Sequence, residues 1–366
     1  MSARDIARQR LANQYLVTPT LADAQTVVAT LGAVQAQEYA PAKWALGLRA
    51  RGLTDAAVER EIAEGRIVRT HVLRPTWHFV SAADIRWMLA LTGPRVKQSM
   101  GFYFRFNELD DALCRRATNV LVKAMEGGHH LTRAEIQKVL ARAKLDLTAP
   151  QRMGIVMRAE LDLVMCNGVK RGKQQTYALF DERVPSMPAL ERDEAIARLT
   201  TLYFATRSPA TVHDLAWWSG LTVSDAKRGI EILGKALERR MIGDTPYWLA
   251  RDARPAAAAK PNAAYLLPTY DEYFIGFKDR SAMMEVANER RRNSKVQSGA
   301  PELTQHIIAL DGQVIGGWKR VESKKGLGVQ LQTLTRLSDA ASRGLRAAAK
   351  RYGDFWGEKV ALTSLR

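Results

Sequence analysis

The sequence predicts an α+β protein, mainly helical, in which three tandem winged-helix units are followed by a C-terminal β-barrel. Two observations lead to this prediction. A pattern of two helices and then a β-rich stretch occurs three times in order, and the sequence becomes mainly β-rich beyond Trp248. We place the units at residues 1–98, 99–190 and 191–258, the third including a linker, and the barrel with its terminal helix at 259–366.

Each predicted repeat opens with a threonine that is followed three residues later by an acidic residue. This is the arrangement of a capping box, in which the hydroxyl and the carboxylate satisfy backbone N–H groups at a helix start. A short amphipathic helix, a second helix and a β-rich stretch with a polar turn then follow, as in a winged helix-turn-helix. The pairs are Thr20 with Asp23, Thr132 with Glu135, and Thr211 with Asp214.

The sequence beyond Trp248 predicts a linker and then a sheet. The stretch RDARPAAAAKP is rich in proline and alanine, as linkers often are. The segments AYLLPTYDEYFIGF, HIIALDGQVIGGWKRV and GLGVQLQTLT are β-rich. Asp311 and Gly312 form a dipeptide that is typical of a tight hairpin turn. We expect the final helix, DAASRGLRAAAKRYGDFW, to pack on the resulting small barrel or curled sheet.

The charge balance points toward nucleic acid. The chain has 366 residues, with 55 Lys plus Arg against 38 Asp plus Glu, a net charge of +17 and a sequence pI near 10.0. Such an excess is expected of a protein that binds the phosphate backbone. A generally basic proteome, or a partner with an acidic face, is the alternative explanation. Cys114 and Cys166 are the two cysteines, too few for a disulfide framework or a set of zinc thiolates.

The sequence also favours a cytoplasmic, nucleoid-associated protein that functions as a monomer without metal or cofactor. No apolar run approaches the ~18 residues of a membrane helix. The segment GVKRGKQQT is not a phosphate loop, because Asn167 replaces the required glycine and Gln174 the required Ser or Thr. His129 and His130 are adjacent, without a partner at metal-ligand spacing, so a surface loop is favoured there.

Basic residues cluster in segments that resemble wings or hairpin tips. Any single cluster could be a solvated face, but together they favour a path for DNA on a chain of this charge. Trp217 and Trp218, in the helical sequence AWWSG, are interpreted as packing residues. The predicted DNA-binding residues are Lys170, Arg171 and Lys173 on the second wing, and Lys319, Arg320, Lys324 and Lys325 near the C-terminal hairpin.

Gln35 and Gln37, in the sequence VQAQE, are the candidate catalytic residues. On one continuous helix they would point to different faces, whereas on extended backbone alternate residues share a side. Pro41 favours a break in the chain here, followed by a new helix. An amide cannot act as a general base, but its carbonyl oxygen can hold a water molecule and face a developing cation. The alternative is that both residues cap backbone groups at a helix end.

Four segments together resemble the AlkZ-like DNA glycosylases over essentially the whole chain: GAVQAQEYAPAKWALGLRAR, LRPTWHFVSAADI, LLPTYDEYFIGFKDR and DGQVIGGWKR. The resemblance implies tandem winged helices, a C-terminal β-barrel and a monofunctional glycosylase that removes N7-alkylated purines from double-stranded DNA. It implies Gln35 and Gln37 as the catalytic pair, and the hairpin near Lys324 and Lys325 as a DNA-probing element. Some members unhook interstrand crosslinks made by toxins.

Two consequences of the resemblance remain open at the level of sequence. A sister group has Gln-x-Asp, and this chain has Gln37 in place of that aspartate, so the sister group's substrate range is not assumed. A monofunctional enzyme would leave an abasic site for an AP endonuclease, in general base excision repair or in toxin self-resistance. The alternative function is a non-enzymatic winged-helix transcriptional regulator. It accounts for the charge and the repeats but gives the two glutamines no role.

Overall fold

The computed structural model describes residues 1–253, 262–293, 306–323 and 326–364. Helices and strands are mixed along the whole of this part of the chain. Most of the predicted linker, residues 254–261, lies outside it. The fold consists of three helix–hairpin units and a C-terminal sheet. In each unit the hairpin comes last, and a helix follows it or the C-terminal sheet begins.

In the first unit, two helices and a short strand precede a helix pair and a hairpin. The short strand β1 joins the hairpin through β3, so the antiparallel sheet has the order β1–β3–β2. Because β1 pairs with β3, the hairpin packs beside the chain that bears the two candidate glutamines. The elements are α1 (Ala3–Asn13), α2 (Ala24–Leu31), β1 (Val34–Gln35), α3 (Tyr39–Gly47), α4 (Asp55–Ala63), β2 (Ile67–Val72) and β3 (Arg74–Ser81).

The second unit follows two connecting helices and repeats the same order of elements. Its sheet, β4–β6–β5, again places the short strand beside the last strand of the hairpin. The elements from the connection onward are α5 (Ile85–Ser99), α6 (Gly101–Phe106), α7 (Asp111–Met125), β4 (Leu131–Thr132), α8 (Arg133–Arg142), α9 (Ala149–Leu161), β5 (Met165–Asn167), β6 (Thr176–Leu179) and α10 (Phe180–Arg183).

The third unit has the same order with a single β-bridge in place of the short strand. Ala210 and Trp248 form that bridge, so the segment before the helix pair again lies beside the last strand. A 3-10 turn over Gly234–Ala236 leads into the hairpin. The other elements are α11 (Arg192–Arg207), α12 (Val212–Ser219), α13 (Val223–Leu233), β7 (Leu237–Ile242) and β8 (Thr245–Ala250).

Two of the three predicted capping boxes are confirmed. Thr132 with Glu135 opens α8, and Thr211 with Asp214 opens α12; each hydroxyl and carboxylate is bonded as expected. The prediction for Thr20 is wrong, because the N-cap of α2 is Asp23, which accepts a hydrogen bond from the backbone N–H of Thr26, while Glu61 accepts from the N–H groups of Ala24 and Gln25. Moreover, α2 lies before the short strand of its unit, so it corresponds to α7 and α11 of the other two units. The counterpart of α8 and α12 is α3, which has no side-chain cap.

The C-terminal part is an open five-stranded sheet with the order β13–β12–β11–β10–β9. β12 and β13 are parallel, and the other pairs are antiparallel. A 3-10 turn spans Ser281–Met283. The elements are β9 (Ala264–Leu267), α14 (Glu272–Ile275), α15 (Glu285–Asn293), β10 (His306–Leu310), β11 (Gln313–Ser323), β12 (Gly326–Thr333), α16 (Asp339–Trp356) and β13 (Val360–Ser364).

The structure corrects two details of the predicted barrel and confirms two others. The edge strands β9 and β13 do not pair within the described residues, so the sheet is a half-barrel. The segment Glu272–Ile275, predicted as β-rich, is a helical turn capped by Asp271. Asp311 and Gly312 do form the hairpin turn, both with positive φ. The last helix packs on the sheet, where the Tyr352 ring lies 5.0 Å from that of Trp318.

The described residues form one main core, a separate core inside the second unit and a small cluster around Tyr247 and Leu249. The main core joins the first unit, the third unit and the C-terminal sheet. Trp44 of α3 connects two of these parts, because its indole N–H donates to the carbonyl of Leu266 at 2.7 Å. The second unit has its own cluster around Leu121 and Ile155. It contacts the first unit through apolar residues such as Met157 and Leu161, which join the main core, and through polar groups such as the backbone N–H of Arg69, which donates to the Asn167 amide oxygen.

Candidate active site

The backbone is extended at Gln35, as the sequence predicts, and bends at Gln37 and Glu38. β1 ends at Gln35, and α3 begins at Tyr39 with Pro41 in its first turn. Gln35 is paired with His78, and the next N–H, that of Ala36, donates to the carbonyl of Trp77 at 2.7 Å. The pairing with β3 thus reaches Ala36, and the chain then bends at Gln37 before α3 begins.

Gln35 is held through both its backbone and its side chain. It is 8% exposed. Its backbone N–H donates to Oε1 of Glu272 at 2.9 Å, and its side-chain Oε1 accepts from Nη2 of Arg74 at 3.0 Å. A guanidinium has only donors, so the carbonyl oxygen of the Gln35 amide must face Arg74. The NH₂ group of the same amide makes no hydrogen bond to a described residue and retains contact with solvent.

Glu272 connects this strand to the rest of the main core. While Oε1 accepts from Gln35, Oε2 accepts from Nη2 of Arg207 at 2.7 Å and from the indole N–H of Trp218 at 2.9 Å. Arg207 and Glu272 are both fully buried. A buried carboxylate needs a cation and hydrogen-bond donors to offset its desolvation, and Glu272 has both.

Arg74 is anchored on the end of α12. Its Nη1 donates to the carbonyls of Trp218 at 2.8 Å and Trp217 at 3.3 Å. These carbonyls belong to the last turn of the helix, where the dipole favours a cation. Burial lowers the pKa of Arg74 to about 10, while the nearby Glu272 carboxylate opposes this effect. Arg74 therefore remains charged at neutral pH.

Gln37 differs from Gln35 because it is exposed and only weakly held. Its Oε1 accepts from the backbone N–H of Trp77 at 3.4 Å, which is long for such a bond. The carbonyl oxygen keeps a second lone pair, so it can also accept a hydrogen bond from water. The two amides of the motif are thus not equivalent in their surroundings.

Cations surround Trp77, directly beside Gln37. The guanidinium carbons of Arg69 and Arg133 lie 4.6 and 5.6 Å from the centre of the indole. Nε of Arg69 also donates to the carbonyl of Ala36, at 3.0 Å. No pattern in the sequence points to these two arginines, since they are far apart in the chain and belong to no basic cluster. Arg69 lies in the same hairpin as Trp77, whereas Arg133 begins α8 and reaches Trp77 only because the second unit packs against the first.

His78, the cross-strand neighbour of Gln35, is neutral. It is fully buried, and burial together with the nearby Arg74 cation holds its pKa well below the usual range for histidine. Its Nδ1 lies 2.9 Å from the carbonyl of Thr76, an acceptor, so that nitrogen carries the proton. Such a histidine is a poor proton acceptor, which leaves the neutral amides as the groups suited to act near Gln35.

The predicted DNA-binding residues on the second wing do lie in the loop between β5 and β6. Two of them are paired with acids: Nζ of Lys170 lies 3.0 Å from Glu59 Oε1, and Nη1 of Arg171 lies 2.7 Å from Glu135 Oε1. Lys173 is exposed and makes no ion pair with a described residue. Within this cluster, Lys173 is the cation best placed to bind phosphate.

The C-terminal basic residues divide in a similar way. Lys319 is exposed on β11, while Arg320 is paired with Glu322 at 3.2 Å and Glu358 at 3.7 Å. Lys324 and Lys325, the centre of the predicted hairpin tip, lie outside the described residues. The strands that flank them, β11 and β12, are antiparallel and pair from Gly316–Thr333 to Ser323–Gly326.

Trp217 departs from its predicted packing role, whereas Trp218 does not. Trp218 is fully buried, but Trp217 is 44% exposed. The indole of Trp217 lies 6.0 Å from the Arg74 guanidinium carbon and 5.6 Å from that of Arg280. An exposed indole therefore borders the arginine that holds Gln35.

The described residues contain no group of three potential metal-ligating side chains, and no helix among them is long and apolar enough to span a membrane.

Comparison with known proteins indicates a class of enzyme, the DNA glycosylases. A family model described as DNA glycosylase AlkZ-like matches residues 28–355, and this chain belongs to that family. It is similar to the interstrand DNA cross-link repair glycosylase of Streptomyces sahachiroi, at 26% identity over 340 residues, covering 88% of this chain and 89% of that protein. The solved structure of Streptomyces sahachiroi DNA glycosylase AlkZ has the same fold, with a TM-score of 0.78, 21% identity and 100% coverage of both chains. These comparisons do not favour the regulator alternative.

Proposed function

We propose that this glycosylase hydrolyses the N-glycosidic bond of cationic N7-alkylated purines in double-stranded DNA. The observation that supports the proposal is that the titratable groups bonded to or paired with Gln35 provide no free acid or base. The carboxylate of Glu272 is buried and saturated with donors, and His78 is held neutral. Such surroundings suit a base that already carries a positive charge, because such a base leaves without being protonated.

We assign the water-positioning role to Gln37. As the bond between C1′ and the purine nitrogen breaks, its electron pair moves to the purine and an oxocarbenium-like sugar develops. The oxygen of water then bonds to C1′, and a proton is released to solvent. The exposed Gln37 carbonyl can orient that water and face the cationic sugar, since its bond to Trp77 is long and leaves a lone pair free.

We also propose that the three units are tandem winged helices that follow the DNA backbone. Support comes from the order that they share: helix, short strand or bridge, two helices and a hairpin. Exposed cations such as Lys173, Arg133 and Lys319 would provide phosphate contacts. By analogy with the crosslink-repair relative, interstrand crosslinks joined through guanine N7 are a further substrate class. We expect a monomeric enzyme whose abasic product passes to an AP endonuclease.

Release of 7-methylguanine from methylated duplex DNA tests the proposal. The purified full-length chain should liberate the free base and leave an abasic strand that breaks only on treatment with alkali. Activity should be unchanged by a chelator. Failure to release the base from methylated DNA would reject the assignment of substrate, and strand cleavage in step with base release would reject the monofunctional mechanism. A duplex crosslinked through guanine N7 tests the extension to crosslinks separately.

A further inference from the structure

We propose that Gln35 acts as a hydrogen-bond donor to the leaving purine and that Arg74 is the positioning residue that imposes this role. The inference rests on the proposed function and assigns different tasks to the two glutamines. Gln37 would serve the water and the sugar, whereas Gln35 would serve the departing base.

Arg74 fixes the orientation of the Gln35 amide. It lies 3.0 Å from Oε1 and has only donors, so the carbonyl faces Arg74 and the NH₂ group faces away. Arg74 itself cannot easily turn, because its other terminal nitrogen is bonded to two carbonyls at the end of α12. The NH₂ group meets no acceptor among the described residues and remains in contact with solvent. The side chain therefore presents a donor to any molecule that binds there.

The direction of charge movement makes a donor useful at this place. In the bound lesion the positive charge is on the purine, and bond cleavage transfers it to the sugar. The purine gains the electron pair of the broken bond, so its remaining acceptors, such as the ring nitrogen N3, become more basic. A donor in contact with those acceptors binds the transition state more tightly than the ground state, which is the condition for catalysis.

The charge of Arg74 also favours the transition state over the ground state. A guanidinium bonded to the carbonyl polarises the amide and strengthens its N–H groups as donors. The like charges of Arg74 and a cationic purine repel each other in the ground state, and this repulsion is relieved as the purine becomes neutral. The carbonyl of Gln37 has no cation bonded to it, so its oxygen keeps a lone pair for water beside the developing cation of the sugar.

Two substitutions of Gln35 with nearly the same shape distinguish a donor from an acceptor. Gln35→Glu keeps an oxygen toward Arg74 but has no NH₂ group, and Gln35→Met makes neither bond. If Gln35 is a donor, both variants should lose the rate of single-turnover release of 7-methylguanine to a similar extent, by roughly ten- to a hundred-fold. If Gln35 instead orients water through its oxygen, Gln35→Glu should stay close to the unaltered protein while Gln35→Met loses activity.

Folding and DNA binding are measured on the same samples. Gln35→Glu should melt at or above the temperature of the unaltered protein, because its carboxylate pairs with Arg74. Arg74→Lys keeps the charge but cannot bond both Gln35 and the end of α12, so we expect a slower rate at similar DNA affinity. An active Gln35→Glu variant would overturn the inference and leave the proposed function intact. Absence of base release by the unaltered protein would instead contradict the proposed function.

Discussion

Oε1 of Glu272 accepts a hydrogen bond from the backbone N–H of Gln35 across 237 positions of the chain. The same carboxylate pairs with Arg207 of the third unit. The strand that bears the candidate catalytic motif is thus held by the C-terminal part of the molecule and by the third unit together. The position and stability of this strand depend on one buried ion pair.

Glu272→Gln should strongly destabilise the protein. The substitution leaves the buried Arg207 cation without its counter-charge, a change that typically costs about 3 to 5 kcal/mol. Denaturant unfolding followed by circular dichroism measures the change in the free energy of unfolding. Asp193→Asn is the matched control, because it removes the acid of an exposed pair with Arg228 and should cost less than about 1 kcal/mol. Equal destabilisation of the two variants would contradict the central role of Glu272.

Gln37→Ala should lose most of the catalytic rate while folding and DNA affinity remain near those of the unaltered protein. One transition-state contact is typically worth about 3 to 4 kcal/mol, or roughly a hundred- to a thousand-fold in rate. Gln37→Asp should retain partial activity, since a carboxylate also orients water and attracts the cationic sugar. Gln37→Glu preserves length but adds charge and so separates electrostatics from geometry. A full single-turnover rate in Gln37→Ala would mean that the residue is structural.

Lys324→Ala combined with Lys325→Ala should weaken binding to all DNA sequences alike. For each lysine that binds a phosphate, its removal should flatten the dependence of log affinity on log salt by about one unit. Titrations of a fluorescent duplex at several salt concentrations measure both quantities. Arg171→Ala is a suitable control, because Glu135 already neutralises that guanidinium. An unchanged slope in the double variant would move the DNA path to other cations, with Lys173 the first to test.

The free energy of unfolding should fall as the pH is lowered below about 6.5. Burial lowers the pKa of His306 to about 4 and holds that of His78 well below the usual range. The unfolded chain therefore binds protons that the folded chain does not, and the contribution of His306 is lost between pH 6.5 and about 4. His306→Phe should flatten this pH dependence, whereas the exposed His129→Gln should not. Unfolding curves between pH 4 and 8 provide the measurement.

Local features of the fold were predictable from the sequence because neighbouring residues determine them. The boxes of Thr132 and Thr211 and the turn at Asp311 each join residues at most three positions apart. The same spacing at Thr20 gave no box, because Asp23 is the N-cap of α2 and Glu61, distant in sequence, accepts from the N–H groups of Ala24 and Gln25. The open sheet was not predictable, because closure depends on whether β9 and β13 meet, and strand periodicity does not encode that.

The candidate site was predictable only in part. The extended backbone at Gln35 followed from Pro41 and from the spacing of the two amides. The partners of Gln35 could not be inferred, because Arg74 and Glu272 are distant in sequence and reach it only through sheet pairing and packing of the C-terminal part. The sequence suggests packing for Trp217 as it does for Trp218, yet adjacent residues on a helix face different surroundings.

The bond between Gln35 and Glu272 also bears on the order of events during synthesis. At a translation rate of about 5 to 20 residues per second, Glu272 is made roughly 12 to 47 s after Gln35. Arg207 precedes Glu272 by 65 positions, and until Glu272 has been made the guanidinium lacks the carboxylate that compensates its burial, so the third unit cannot complete its packing against β1. A ribosome-bound chain that ends before Glu272 should therefore lack a stably packed strand β1. We expect catalytic activity only after the C-terminal sheet has been synthesised.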